Sequence, residues 1–131
     1  MVAQAVERSL EYGRVFHVTV HSFTPELHGH VRNADITFLY DYRHKSERRL
    51  SELWQEQLEE SLPIKVRRNY PYRGHTDGLT STLRKHWPES DYVGICIEVN
   101  QKHLIEKHPE SWPAAVADGL VRALELFHQS S

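Results

Sequence analysis

The sequence predicts an α/β protein: a mixed, mainly parallel sheet flanked by helices. Segments of strand character (14–21, 35–40, 64–68, 92–99) alternate with segments of helical periodicity (3–12, 46–61, 79–86, 112–127). Such alternation is the mark of strands layered against helices. The segment 92–99, YVGICIEV, is apolar almost throughout, as a strand covered on both faces has to be. The 131 residues, 39% hydrophobic and 26% charged, suit one domain (1–131) with a single modest core.

Each element has a local reason. Residues 3–12 read as an amphipathic helix, with Val6 and Leu10 four apart and Gly13 as the stop. Residues 14–21, RVFHVTVH, are rich in β-branched side chains and predict a strand. Pro25 and Gly29 interrupt 23–33, which predicts a loop, and DITFLY (35–40) predicts the next strand. Ser46 is placed to cap a long helix over 46–61. There Leu50, Leu53, Trp54, Gln57 and Leu58 share one side, and Pro63 ends the run. IKVRR (64–68) alternates as a short strand, and NYPYRGHTDG (69–78) is a turn-rich loop. Residues 79–86 predict a short helix before Pro88, and 112–127 a helix with Pro113 in its first turn.

Several function classes are disfavoured. A formal net charge of −2 gives no basic field for nucleic acid. No apolar run approaches the ~18 residues of a membrane span, and MVAQAVERSLEYGR mixes charges where a signal peptide needs an apolar stretch. Cys96 is the single cysteine, so no intrachain disulfide forms. A soluble, cytoplasmic protein is expected.

Glu98 is the charged residue of the apolar strand. A carboxylate there must be paired, hydrogen-bonded or turned toward a cleft, and partial desolvation would suit it to general-base work. The plain alternative is a strand-end Glu that meets solvent or an arginine such as Arg67. His21 stands where the first predicted strand breaks into Ser22-Phe23-Thr24-Pro25, a place that presents an imidazole to a crevice as a metal ligand or catalytic group. The competing reading is a histidine satisfied by a backbone carbonyl. In the loop 69–78, Arg73, His75 and Asp77 are candidates for substrate contacts, since a guanidinium offers a planar fork to carboxylates. His28-Gly29-His30 is a weaker metal-binding candidate, and Cys96 reads as a buried inert thiol.

HSFTPELHG, then ITFLYD, NYPYRGHTDG and GICIEVNQ, occurring in that order, resemble the C-terminal half of the N-formylglutamate amidohydrolase family, itself similar to zinc carboxypeptidases. The resemblance implies a three-layer hydrolase-like architecture and zinc as cofactor. It makes His21 the zinc-binding histidine of a His-Ser-aromatic motif and Glu98 the base and proton shuttle. The implied reaction is hydrolysis of an N-formyl or N-acyl amino acid amide, with a small carboxylate as substrate. On chemistry rather than motif, Arg73 is the first choice to hold that carboxylate, with Arg32 and Arg68 behind it.

The family pattern also has an earlier histidine and an acidic ligand, about three residues apart. Residues 3–13 hold no histidine, and Glu7 and Glu11 do not supply that pair. Three explanations stay open: a chain truncated at its N-terminus, a natural half-length relative that binds a small carboxylate or a protein without catalysis, or a different site joining His21 to His75, His28 or His30. A sheet cut short exposes an edge, and exposed edges pair, so a homo-oligomer is expected.

Overall fold

The computed structural model describes residues 2–27, 29–31, 33–70, 79–101 and 111–129. In chain order these form α1 (Val2–Ser9), a 3-10 turn (Leu10–Tyr12), β1 (Val15–Phe23), β2 (Glu26–Leu27), β3 (His30–Val31), β4 (Ile36–Leu39), α2 (Lys45–Ser61), β5 (Val66–Arg68), α3 (Leu79–His86), β6 (Tyr92–Asn100) and α4 (Ser111–Gln129). The main sheet runs β1-β6-β4-β5, and β2 and β3 form a small antiparallel ribbon.

Pairing in the main sheet is mixed. β1 runs parallel to β6 and β4 parallel to β5, while β4 is antiparallel to β6. Successive side chains along a strand point to opposite faces. One face of β6 therefore carries Val93, Ile95, Ile97 and Val99, and the other Tyr92, Gly94, Cys96, Glu98 and Asn100. The first set joins Ile36, Phe38 and Tyr40 against Leu50, Trp54 and Leu58 of α2 and Ala123 and Phe127 of α4. The Trp54 indole N–H donates to the carbonyl of Val116 at 3.1 Å, which fixes α2 on α4. On the other face, Tyr92 packs with Leu83 of α3 and Val6 of α1. Helices cover both faces, and the layers are those the sequence predicts.

Three local differences have physical causes. β1 extends past His21 to Phe23 because Phe23 is buried, 3% exposed, and its carbonyl accepts the N–H of Gln101 at 2.8 Å. The segment expected as a loop contains the β2–β3 ribbon, turned at Gly29 with φ +79°. Ser46 does not cap α2. His44 holds the cap position without a side-chain bond, and the Glu89 carboxylate accepts the Ser46 N–H from across the fold.

Candidate functional site

The strand registers place four polar side chains in one row on one face of the sheet. His21 of β1 pairs with Glu98 of β6, Glu98 with Thr37 of β4, and Thr37 with Arg67 of β5. Neighbouring strands lie ~4.8 Å apart, so His21 and Thr37 flank Glu98 directly and Arg67 stands one strand further on. His21 is exposed, Arg67 half-buried, Glu98 8% exposed and Thr37 fully buried. The row therefore grades from a wet rim at β1 to a dry centre at β4.

Local structure explains the grading. β1 is the edge of the main sheet, and its burial falls away over Val20, His21 and Ser22. β6 lies inside the sheet, so Glu98 is walled by a strand on either side. Just past Glu98, the Asn100 side chain donates to the carbonyl of Ala34 at 2.9 Å, and the Asn100 N–H to that of Asp35 at 2.9 Å. These bonds lock the carboxyl end of β6 to the entry of β4. The Thr37 hydroxyl is buried and has no hydrogen-bond partner among the described residues.

Arg67 is held by its surroundings. Its guanidinium lies over the Tyr70 ring, 3.7 Å from the centroid, a stacking geometry that suits arginine. The Tyr70 hydroxyl in turn accepts the N–H of Asn33 at 3.1 Å. Arg68 follows Arg67 and belongs to the opposite, helix-covered face. It donates to Glu52 of α2 at 3.0 Å and lies 3.4 Å from the Tyr40 hydroxyl. Arg68 also lines an open cleft of about 420 Å³ with Tyr40, Gln55, Val66, Arg67 and Asn69.

Of the residues singled out by sequence, the structure brings His21 and Glu98 together and sets Arg68 on the other face. Arg32, Arg73, His75, Asp77 and His28 lie outside the described residues, as does the side chain of His30. Cys96, half-buried on the face of Glu98, has its thiol pKa pushed up, chiefly by burial. Thr37 was not foreseen, and Arg67 entered only as a possible partner of Glu98. Thr37 had a signal, as the one uncharged polar residue inside DITFLY.

The donor set fits zinc only in part. His21 is an exposed imidazole of the right type for one ligand, and a catalytic zinc takes three. Among the described residues, no group of three or more His, Cys, Asp or Glu side chains is placed to hold a metal ion. His21 and Glu98 alone do not complete a site.

A mixed sheet sandwiched by helices, with a sheltered carboxylate and an edge imidazole side by side on one face, is an α/β architecture. The chain belongs to the N-formylglutamate amidohydrolase family, whose sequence profile matches residues 1–105. It is similar to a solved structure, gene product Atu2144 from Agrobacterium tumefaciens, at 32% identity and a TM-score of 0.68, over 95% of this chain and 47% of that one. It is also similar in fold to an N-formylglutamate amidohydrolase from Ralstonia eutropha JMP134, at 20% identity and a TM-score of 0.63, over 96% of this chain and 47% of that one. The chain thus spans about half the length of the solved structures it matches. Among curated proteins no sequence matches it significantly. No helix among the described residues is long and apolar enough to cross a membrane.

Proposed function

We propose that this chain carries the base-bearing part of an amidohydrolase site that cleaves the amide bond of an N-formyl or N-acyl amino acid. The observation behind the reading is the register pair His21–Glu98: a largely buried carboxylate beside an exposed imidazole on one sheet face. A carboxylate so sheltered is a suitable proton acceptor for a water attacking an amide carbonyl. Glu98 takes a proton from that water as the new carbon–oxygen bond forms. It returns the proton to the amide nitrogen as the carbon–nitrogen bond breaks, releasing a carboxylic acid and a free amine. Zinc, when bound, would supply Lewis acidity and a more acidic water, and His21 would offer one nitrogen to it alongside ligands beyond the described residues.

A second reading is a non-catalytic relative that binds a small carboxylate or docks to a partner, since His21 and Glu98 alone, among the described residues, do not complete a metal site. One experiment separates them. Zinc content and N-formylglutamate hydrolysis are measured on the parent, His21→Ala and Glu98→Gln. The enzyme reading expects about one zinc per chain, lost in His21→Ala, with turnover reduced at least a hundredfold in Glu98→Gln, the lower end for loss of a general base. Undiminished turnover in Glu98→Gln overturns it. Absent zinc and absent turnover in the parent leave the binding reading in its place.

A further inference from the structure

We propose that the cleft between α2 and the edge strand β5 is a binding site for a phosphate-type dianion, either inorganic phosphate or a phosphate monoester. The site is separate from the row that holds Glu98. Val66 and Arg68 pair with Ile36 and Phe38 of β4, whose side chains belong to the core packed on α2.

The lining is a set of donors. Tyr40, Gln55, Val66, Arg67, Arg68 and Asn69 surround about 420 Å³. All but Val66 carry a side-chain N–H or O–H, and no acidic residue is among the described lining residues. Tyr40 is 3% exposed, so it belongs to the floor of the cleft. Its hydroxyl accepts from Arg68 at 3.4 Å and still has a proton to donate. The Gln55 amide uses one N–H on the carbonyl of Val66 at 3.4 Å and has a second. Asn69 fixes the wall: it adopts φ 53°, its N–H donates to the carbonyl of Phe38 at 2.8 Å, and its Oδ1 accepts the Tyr40 N–H at 3.1 Å. A wall held in advance lowers the cost of ordering it around a ligand.

Charge sets the ligand class. Arg68 already donates to Glu52 at 3.0 Å. Both side chains are partly exposed, 37% and 49%, and an ion pair so wet is weak and exchangeable. A free carboxylate brings only the single charge that the tethered Glu52 already offers, so it gains little. A phosphate group carries nearly two charges and three or more acceptor oxygens pointing in different directions. It can therefore meet the guanidinium, the amide and the phenol together.

The test titrates the whole chain by NMR with inorganic phosphate, glycerol phosphate and acetate at matched ionic strength. Phosphate or its ester is expected to shift the amides of Gln55, Arg68 and Asn69 saturably, and acetate is not. Tighter binding of glycerol phosphate assigns the site to a monoester, and tighter binding of inorganic phosphate assigns it to the free ion. Arg68→Ala is expected to weaken binding about tenfold or more, the range for a hydrogen bond to a charged group. Glu52→Gln removes the competing charge and is expected to tighten binding severalfold, a gain that damage to the fold would not produce. No saturable binding of either phosphate, equal binding of acetate, or unchanged affinity in Arg68→Ala or Glu52→Gln overturns the proposal. The readout is binding rather than turnover, so this site and the amidohydrolase reading fail separately.

Discussion

Glu47 of α2 and Arg84 of α3 form an ion pair withdrawn from water, with Nη2 2.8 Å from Oε1 and side-chain exposures of 0% and 5%. The Glu47 carboxylate also accepts the Arg84 Nε–H, the N–H of Gly94 at 3.1 Å and the N–H of Asp41 at 2.9 Å. Arg84 adds a bond to the carbonyl of Gly94 at 3.0 Å. One carboxylate thus ties α2, α3, β6 and the turn after β4. Removing one partner of a buried pair leaves the other charge uncompensated, at about 3–5 kcal/mol. Glu47→Ala is therefore expected to lower the melting temperature by ~10 °C or more, measured by circular dichroism. A shift under about 2 °C would mean that the network contributes little.

His17 gives the fold a pH dependence near neutrality. Its Nδ1 lies 2.7 Å from the Tyr92 hydroxyl, and burial lowers its pKa from the usual 6.5. Burial also pushes the Tyr92 phenol up, so the hydroxyl donates and neutral His17 accepts. In the folded state His17 resists protonation, while the unfolded chain takes the proton at its ordinary pKa. The unfolded state then binds more protons as pH falls below 6.5, and stability declines toward the lowered folded value. Urea unfolding at about pH 7.5 and about pH 5.5 should show a smaller acid loss in His17→Gln than in the parent. Equal losses would place the pH dependence elsewhere.

Much of this was written locally in the chain. The α3 helix at 79–86 follows from its leucines and the proline beyond it, and the apolar run of β6 with Glu98 inside it follows from composition alone. What escaped the sequence is long-range. Ser46 looked like a cap because its side chain type is right, yet the group that binds its N–H is Glu89, 43 residues away. Glu47 reads as an exposed first-turn acid until α3 folds over it with Arg84. Alternation tells that Arg67 and Arg68 face opposite ways. It does not tell which strand lies beside which, and the row from His21 to Arg67 exists only because β4 and β5 enter the sheet antiparallel to β6. The arginine favoured from sequence, Arg73, lies outside the described residues.

Cys96 reports on the sheet face two residues before Glu98. Its pKa is raised first by burial and further by the nearby Glu98 charge, with a hydrogen bond to Thr19 acting the other way. The thiolate is the reactive form, so the folded protein should alkylate slowly at about pH 8, and the urea-unfolded chain at the rate of a free thiol. Glu98→Gln removes one cause of the shift and should speed the folded-state reaction. Equal rates in the parent and Glu98→Gln would mean that the two groups do not sense each other.

The β1 edge supports the expectation that the chain self-associates. β1 is nine residues long and among the described residues pairs only with β6. Its outer half is uncovered: Val20 is 70% exposed, and His21 and Ser22 follow it to the surface. A long edge strand with an exposed apolar residue is a template for another strand, because a sheet edge turns N–H and C=O groups outward. Antiparallel pairing of two β1 edges would bury both Val20 side chains and continue the sheet through the dimer. Light scattering is therefore expected to give a mass above that of one chain. Val20→Lys, a charge of the sort natural edges use against pairing, should return it to the monomer without lowering the melting temperature of the separated chain. A parent that runs as a monomer at all concentrations would mean that the β1 edge does not drive self-association.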